Sequence, residues 1–305
     1  MPPPRGIPNP IEGPGDFTVT KTVHNDTYPA IDPTKQDLSG KVVFISGASR
    51  GIGQAIATSF ANAGASGLVL AARSSIEATE NAIKQAAKDA GRPVPEVLGV
   101  KMEVTNFESV SNAAAEVERK FGRLDVIINN AGVIDMTAII ESDPEKWWKV
   151  WEVNVKGPYL VAKAFLPLVL KTQDSLKQVI TVASVGAHLT VPSLSAYQPS
   201  KLAVVRFTEF IHSEYGAQGV TAISIHPGNI LTEMATSADM PEELRFVFTE
   251  SVELPADTIV WLAAEKRDWL SGRYVNVTWD MPQLEEKRGA IVEGDRLRVK
   301  LDVDF

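Results

Sequence analysis

The sequence predicts an α/β fold: a doubly wound, mainly parallel sheet of seven strands with helices on both faces, in a single domain. Short apolar runs alternate with longer helical segments along most of the chain, a spacing typical of βαβ units. The runs are apolar throughout rather than alternating, as in strands that are buried on both faces of a parallel sheet. The length of 305 residues agrees with one large α/β domain.

The elements follow one another at regular intervals from Lys41 onward. The seven predicted strands cover 41–46, 67–72, 96–104, 124–132, 178–184, 220–228 and 273–278. The first predicted helix ends near Ala63, and the others cover about 76–90, 107–121, 144–170 and 196–216. Pro158 and Pro167 are expected to interrupt or bend the helix at 144–170. Because ligands of such sheets bind beyond the carboxyl ends of the strands, the turns at those ends predict the functional site.

The predicted catalytic domain covers residues 41–282 and includes a substrate lid at about 230–256. An N-terminal arm covers residues 1–40, which are rich in Pro, Gly and Asp and lack sustained periodicity. Such a composition predicts a segment that lies on the surface or is partly disordered, and an interface role is the alternative. Residues 283–305 form a predicted C-terminal extension.

Composition and charge exclude several classes of function. The formal net charge of −8 and the lack of a Lys/Arg run disfavour a nucleic-acid partner. The absence of cysteine excludes disulfides, thiolate zinc sites and a cysteine nucleophile, and the four scattered histidines lack metal-binding spacing, so no metal is expected. With no apolar signal-peptide core and no apolar run of membrane-spanning length, we expect a cytoplasmic protein without a membrane partner.

The stretch FISGASRGIGQAIA, residues 44–57, places three glycines between a predicted strand and a predicted helix. Gly47 can take a turn that a Cβ would hinder, Gly51 lets the backbone approach a pyrophosphate, and Gly53 lets the helix pack closely on the strand. The helix N-terminus offers free N–H groups to phosphate. The pattern therefore predicts a dinucleotide site, and a merely flexible turn is the alternative. The other cofactor contacts expected in this turn are Ser49, Arg50 and Ile52.

The end of the second predicted strand indicates which dinucleotide binds. It reads LAARSS, so the carboxylate that commonly holds the ribose of NAD is missing and Arg73 follows directly. A 2′-phosphate needs a cation there, and Arg50 in the glycine turn is a second one. The pair favours NADP(H), while two solvated surface charges are the alternative.

The sequence YQPSK places Tyr197 and Lys201 on one face of a predicted helix. A nearby ammonium favours the phenolate and is expected to lower the tyrosine pKa, which would make the pair a general acid/base for an alcohol oxygen. Two unrelated surface residues are the alternative. Ser184, at the end of the fifth strand, could hydrogen-bond a substrate oxygen or the tyrosine.

Asn154 lies in the middle of a predicted helix, where asparagine has poor propensity. A water-relay role and a structural amide at the bend near Gly157 and Pro158 are both open. We expect His188 to be a pocket wall or a solvent contact rather than catalytic. The tryptophans of one helical stripe are interpreted as core or subunit packing; they are Trp147, Trp148 and Trp151.

In this order, SGASRGIG, NNAG, Asn154, Ser184 and YQPSK resemble the short-chain dehydrogenase/reductase family, over about residues 38–280. The resemblance implies a Rossmann-type fold with Tyr197 as proton donor. Lys201 would lower the tyrosine pKa and hold the nicotinamide ribose. By the same resemblance, Ser184 would orient the substrate carbonyl and Asn154 would hold a relay water. Ser46 stands where the family usually has Thr, and Glu103 where it commonly has Asp beside the adenine. The further implied cofactor contacts are Glu103, Val104, Asn130, Ala131, Gly132, Pro227, Gly228, Ile230 and Thr232.

The expected function is NADPH-dependent reduction of a carbonyl group on a small or medium organic molecule, and the Met, Phe and Leu residues of the lid suggest an apolar substrate. Alternatives on the same scaffold are an alcohol dehydrogenase and an imine or enone reductase, and another class is a non-catalytic NADP-binding protein. The family resemblance also implies a homodimer or homotetramer that pairs through the helices at 144–170 and 196–216.

Overall fold

The computed structural model describes residue 13 and residues 15–236 and 247–301. The first twelve residues of the predicted arm, ten residues of the predicted lid (237–246) and the last four residues of the chain lie outside the described residues, as does residue 14.

The described residues form one seven-stranded sheet in the order β3-β2-β1-β4-β5-β6-β7, and all neighbouring strands are parallel. The strands β1 to β7 are Val42–Ser46, Gly67–Ala72, Glu96–Lys101, Val126–Asn129, Gln178–Val182, Thr221–His226 and Arg273–Asn276. The predicted fold class is therefore confirmed. Several predicted strands extend past the observed ends because their last residues already turn into the loops that form the cleft.

Helices cover both faces of the sheet. The helices α1 to α10 are Gly51–Asn62, Glu77–Asp89, Phe107–Phe121, Pro144–Trp151, Gly157–Lys171, Tyr197–Tyr215, Glu233–Thr236, Glu253–Ala264, Met281–Glu286 and Arg288–Glu293. Side-chain caps set several of their starts: the carboxylate or amide oxygens of Asn106, Asp143 and Asp280 accept hydrogen bonds from backbone N–H groups in the first turns of α3, α4 and α9.

The long predicted helix at 144–170 is interrupted, but not by its prolines. A π-helical turn, Glu152–Lys156, joins α4 to α5 and contains Asn154. Pro158 lies in the first turn of α5, where its missing N–H is not needed, and Pro167 lies inside α5. Among the described helices, the run Pro144–Lys171 is the one that is long and apolar enough to cross a membrane, but 61% of its most apolar window is buried inside the protein, as in a core helix.

Two layers of apolar side chains fill the space between sheet and helices. Alternate residues of β1 point to opposite faces, so that Val43 and Ile45 join one layer and Phe44 joins the other. The first layer packs on α1 and α8. In the second, the ring of Phe44 lies 4.2 Å from that of Phe165 on α5. The sheet is thus fixed from both sides, and its carboxyl edge holds the loops of the site in place.

The described part of the arm differs from the expected surface segment. Ile31 and Leu38 are fully buried and belong to the first apolar layer. Val23 forms an antiparallel bridge with Trp279, and His24 Nε2 lies 2.9 Å from Asp280 Oδ2. The arm is irregular in structure, and a few buried side chains anchor it while most of its described residues stay partly or fully exposed.

The C-terminal extension is also part of the main body. The predicted boundary between residues 282 and 283 falls inside α9, and Leu284 and Ile291 are buried in the first apolar layer. The C-terminal segment and the first described residues of the arm pack on the β7 side of this core, while residues 34–38 of the arm lie against the end of α1 and against Arg92.

Candidate active site

A cavity of about 1040 Å³ runs along the carboxyl ends of the strands. Every residue predicted to contact the cofactor lines it, from Gly47 in the glycine turn to Thr232 after β6. Of the four predicted catalytic residues, Ser184, Tyr197 and Lys201 line it as well. These residues meet in one cavity because strands and helices alternate along the chain, and parallel strands bring all of their carboxyl ends to one edge of the sheet.

In the glycine turn between β1 and α1, the main chain at Gly53 packs directly against the main chain at Gly47. Gly47 has a φ of 68°, in the left-handed region that favours glycine. A Cβ at Gly53 would lie only 2.2 Å from the carbonyl oxygen of Gly47, so no other residue fits there without a shift of the backbone. Asn130 Nδ2 donates to the carbonyl oxygens of Ser46 at 3.0 Å and Gly47 at 3.2 Å. The result is a narrow cradle lined by main chain.

Ser46 joins the ends of β1 and β4. Its hydroxyl oxygen accepts from the backbone N–H groups of Asn130 at 3.0 Å and Ala131 at 3.2 Å, and the hydroxyl donates to the carbonyl oxygen of Ile128 at 3.3 Å. These bonds need a hydroxyl but not the methyl group of threonine. The departure from the family pattern at this position leaves the local structure intact.

The two predicted phosphate-binding arginines both face carboxylates. Arg73 Nη1 lies 3.7 Å from Glu103 Oε2, and Arg50 Nη1 lies 2.8 Å from Glu233 Oε2 on α7. Both guanidinium groups are mostly exposed, which leaves them accessible from the cavity. The sequence does not predict the contact of Glu233 with Arg50, because the two residues are far apart in the chain and neither belongs to a pattern that pairs them.

Glu103 is oriented by its own turn. Partial burial acts to raise the pKa of Glu103, but hydrogen bonds from the N–H and hydroxyl groups of Thr105 and the charge of Arg73 outweigh it and lower the pKa. The N–H bond is 3.2 Å long and the hydroxyl bond 3.0 Å. The carboxylate that was expected beside the adenine is thus engaged by Thr105 and Arg73, and its longer side chain reaches the arginine.

Tyr197 and Lys201 lie one helical turn apart at the start of α6; Lys201 is buried and Tyr197 is partly buried. Lys201 Nζ donates to the carbonyl oxygen of Val182, the last residue of β5, at 3.0 Å. It lies 5.6 Å from the centre of the Tyr197 ring. The helix supplies the spacing and the strand end supplies the anchor for the ammonium.

Burial dominates the protonation of both groups. It raises the pKa of Tyr197, and a hydrogen bond with Ser184 opposes this rise. It lowers the pKa of Lys201 to about 8. The expectation that the ammonium lowers the tyrosine pKa does not match this structure, because removal from water disfavours the charged form of each group. At neutral pH the phenol is protonated and able to donate.

Ser184 follows β5 and caps the short 3-10 turn Val185–His188. Its oxygen accepts the backbone N–H of Gly186 at 3.0 Å. That bond fixes the rotamer and leaves the O–H free to rotate toward Tyr197 or a substrate oxygen.

Asn154 lies behind the cavity, and its side chain joins two segments. Its Oδ1 accepts from Val133 N at 2.9 Å, while Nδ2 donates to Val133 O at 2.9 Å and to Ser200 Oγ at 3.0 Å. Ser200, which the sequence did not indicate, donates in turn to the carbonyl oxygen of Tyr197 at 2.6 Å. The geometry matches the structural-amide alternative, located at the π-helical turn rather than at Pro158, and the relay-water role stays a prediction.

The end of the cavity beyond Ser184 and Tyr197 is largely apolar. The side chains there come from four segments of the chain and include Ile134, Met136, Leu189, Val191, Leu194, Met234, Val247 and Phe248. His226 also lines the cavity, and burial lowers its pKa to about 3, which keeps it neutral.

The structure locates both aromatic groups that the sequence singles out. The ring of His188 is partly buried and packs edge-on against Tyr274 at 4.7 Å, in the same short segment as the cavity-lining residues Val185 and Leu189. The tryptophan stripe lies at the surface, so core packing does not describe it, and subunit packing stays a prediction. Its rings stack on one another at 5.7 to 6.5 Å, and Trp148 is 57% exposed.

Comparison with known proteins agrees with this geometry. Residues 41–243 match the family model of the short chain dehydrogenases. The short chain dehydrogenase pigC of Monascus ruber is 51% identical over 302 residues, which cover 98% of this chain and 99% of that protein. The short chain dehydrogenase citE of the same organism is 49% identical over 286 residues, which cover 93% of this chain and 97% of that protein.

Solved structures share the fold. A dehydrogenase/reductase from Sinorhizobium meliloti 1021 superposes with a TM-score of 0.70 at 25% identity, covering 80% of this chain and 96% of its own. A carveol dehydrogenase from Mycobacterium avium, solved in complex with NAD, gives 0.70 at 21% identity, covering 80% of this chain and 98% of its own. These findings confirm the resemblance that the motifs indicate: the chain belongs to the short-chain dehydrogenase family of oxidoreductases.

Proposed function

We propose that the protein is an NADP(H)-dependent reductase of a carbonyl group on a small or medium, mainly apolar organic molecule. One observation carries the proposal: Ser184, Tyr197 and Lys201 meet at a single cavity, between a glycine cradle and an apolar pocket. This arrangement is suited to a reaction that needs a bound dinucleotide on one side, an organic substrate on the other and one proton between them.

The residues of the cradle fit a dinucleotide. The close approach of Gly47 and Gly53 leaves main-chain N–H groups at the start of α1 for a pyrophosphate, as at other helix N-termini that bind phosphate. Arg50 and Arg73 are exposed at the mouth, where a 2′-phosphate would replace the carboxylates that face them. Thr232 lines the cavity and would hydrogen-bond the carboxamide of the nicotinamide. When bound, NADPH would supply the hydride.

The chain's own residues would orient the carbonyl and deliver the proton. The Ser184 hydroxyl donates a hydrogen bond to the carbonyl oxygen, which can only accept, while the Ser184 oxygen itself accepts the N–H of Gly186. Tyr197 donates its phenolic proton to the same oxygen as negative charge develops there, and its raised pKa keeps that proton in place at neutral pH. Lys201, in its ammonium form below about pH 8, stabilises the phenolate that remains.

The proposal includes an assembly and a location. Apolar side chains are exposed on α5 and α6, among them Tyr159, Leu202 and Phe210. A homodimer or homotetramer that pairs through these helices would cover them. The location that we propose is the cytoplasm, in line with a chain that has no cysteine. Light scattering after size exclusion tests the assembly.

Two measurements test the proposal. Titration with NADPH and with NADH, followed by tryptophan fluorescence, compares the affinities of the two cofactors, and NADPH is expected to bind more tightly. Loss of near-ultraviolet absorbance of the reduced cofactor with a panel of apolar ketones and aldehydes measures turnover. Turnover of imines or enones alone, or of alcohols with NADP⁺ alone, would favour those alternatives. Tight binding with no turnover on any panel would favour a non-catalytic NADP-binding protein.

A further inference from the structure

Gly13, Gly15 and Asp16 of the N-terminal segment form a turn, called here the arm turn, that is fastened to the end of the sheet. The Asp16 carboxylate is 5% exposed; it accepts the Gly13 N–H at 2.5 Å and the side-chain amide of Asn276, the last residue of β7, at 2.9 Å. The indole N–H of Trp279 donates to the carbonyl oxygens of Gly15 at 3.2 Å and Asp16 at 3.1 Å. Buried polar bonds of this kind fix a turn that has no regular structure of its own.

The other side of the arm turn touches the segment that follows Ser184. A Cβ at Gly13 would lie 2.7 Å from Cγ2 of Val185 and 3.6 Å from Cδ2 of Leu189. Both Val185 and Leu189 line the cavity. Residues 185–189, called here the substrate wall, therefore stand between the arm turn and the cavity.

The substrate wall has a second support from the same region. His188 packs edge-on against Tyr274 of β7 at 4.7 Å, and the Tyr274 ring meets that of Trp279 at 6.3 Å. Because Trp279 also holds the arm turn, the wall, the end of β7 and the arm form one packed unit. A displacement of the arm turn must then be taken up by the wall.

We propose that the arm turn is a specificity-determining part of the substrate site, with Asp16 as its positioning residue. It fixes Val185 and Leu189 and thereby sets the width of the cavity next to Ser184, which limits the bulk of the apolar ketone that can bind. The catalytic meaning of this inference rests on the proposed carbonyl reduction, but the mechanical link between arm and wall does not.

The link is tested without substrate or cofactor by amide hydrogen exchange in the full chain. Asp16→Asn keeps the shape of the side chain but removes one acceptor oxygen, so either Gly13 N–H or the Asn276 amide loses its partner. We expect residues 185–189 to exchange about tenfold faster, as for the loss of one buried hydrogen bond. Exchange in α1 and β5 stays at the wild-type rate. Trp279→Phe, which removes the indole N–H together with the pyrrole part of the ring, is a second variant for the same measurement should Asp16→Asn unfold.

Specificity is tested by Gly13→Ala. Val185 is stiff because it is β-branched, and the arm turn is clamped from behind, so the added Cβ pushes Val185 toward the cavity. We expect kcat/KM for a bulky diaryl ketone to fall about tenfold relative to a small cyclic ketone, through KM, with the KM for NADPH unchanged. Gly289→Ala is the matched control, because a Cβ there would meet nothing within 4 Å.

The outcomes separate the two proposals. Unchanged exchange of residues 185–189 in a folded Asp16→Asn, or an unchanged ketone ratio in Gly13→Ala, overturns the role of the arm turn. If the wild-type protein reduces no ketone while Asp16→Asn still speeds exchange in the substrate wall, the proposed function is wrong and the arm still supports the wall.

Discussion

The two ends of the cavity are built in different ways. At the cofactor end, backbone meets backbone: a Cβ at Gly53 would reach within 2.2 Å of Gly47 O, and Asn130 binds two adjacent carbonyl oxygens. At the substrate end, apolar side chains from distant segments meet, including Ile134, Leu189 and Val247. One end is fixed by a single strand–turn–helix, and the other by the packing of loops.

This difference indicates which end of the cavity tolerates amino-acid substitutions. Main-chain contact leaves no room for a side chain, so the cofactor end accepts few substitutions. Side chains on loops can be exchanged without disturbing the sheet, so the substrate end can take different shapes on the same scaffold. Four variants test this contrast: two lie where the ends meet, and two lie at the cofactor end.

The largest effect is expected from Tyr197→Phe, at the junction of the two ends. Removal of the phenolic proton should lower the rate of ketone reduction about 100-fold to 10,000-fold, the range of general acid catalysis, while NADPH affinity is unchanged. Steady-state kinetics measure the rate of ketone reduction, and a fluorescence titration measures the affinity for NADPH. Tyr159→Phe, which deletes the hydroxyl of an exposed tyrosine on α5, is the control. Retained turnover in Tyr197→Phe would mean that another group supplies the proton.

Gly53→Ala tests the backbone contact at the cofactor end. Overpacking against Gly47 O should lower the free energy of unfolding by about 1–3 kcal/mol and weaken NADPH binding about 100-fold. Denaturant unfolding and the same titration measure this, with Gly289→Ala as the control that adds a methyl group in open space. If Gly53→Ala bound NADPH normally, the contrast between a rigid and an adaptable end would not hold.

Lys201→Met tests the cost of burying a charge where the ends meet. In the folded protein the Lys201 pKa is lowered to about 8 from 10.5, so below pH 8 the protein carries the full cost of the buried ammonium. After allowance for the lost hydrogen bond to Val182 O, we expect the variant to be more stable at pH 7 by about 2 kcal/mol. The advantage should shrink as the pH rises from 8 toward 10.5. Denaturant unfolding curves at pH 7 and near pH 10.5 measure the difference in stability between the variant and the wild-type protein. A difference that does not change with pH would contradict the lowered pKa of Lys201.

The smallest effect is expected at the exposed rim of the cofactor end. Arg73→Asp should reduce the preference for NADPH over NADH about tenfold to 100-fold, since a charge-assisted hydrogen bond is replaced by repulsion. Arg119→Asp makes the same change of charge in the last turn of α3, which faces the opposite edge of the sheet. An equal change of preference in both variants would point to long-range charge rather than to contact with the 2′-phosphate.

Much of the cofactor end could be predicted because its signals are local. The turn FISGASRGIGQAIA carries its glycines within one strand–turn–helix, and the Tyr197–Lys201 pair needs only the repeat of a helix. The role of Asn154 could not be resolved in this way. Its partners Val133 and Ser200 lie on other segments, and the π-helical turn that aims it has no pattern of its own in the sequence.

The alternation of strands and helices, the cradle for a dinucleotide and the spacing of the catalytic side chains were determined by the sequence itself, because each depends on residues that are neighbours along the chain. Only the tertiary structure decided which carboxylates face Arg50 and Arg73, how burial sets the pKa values of Tyr197 and Lys201, and that the arm turn supports the wall of the substrate pocket. The physical reason is that burial, charge pairing and close packing arise between segments that are far apart in the chain, and these contacts exist only when the whole core has formed.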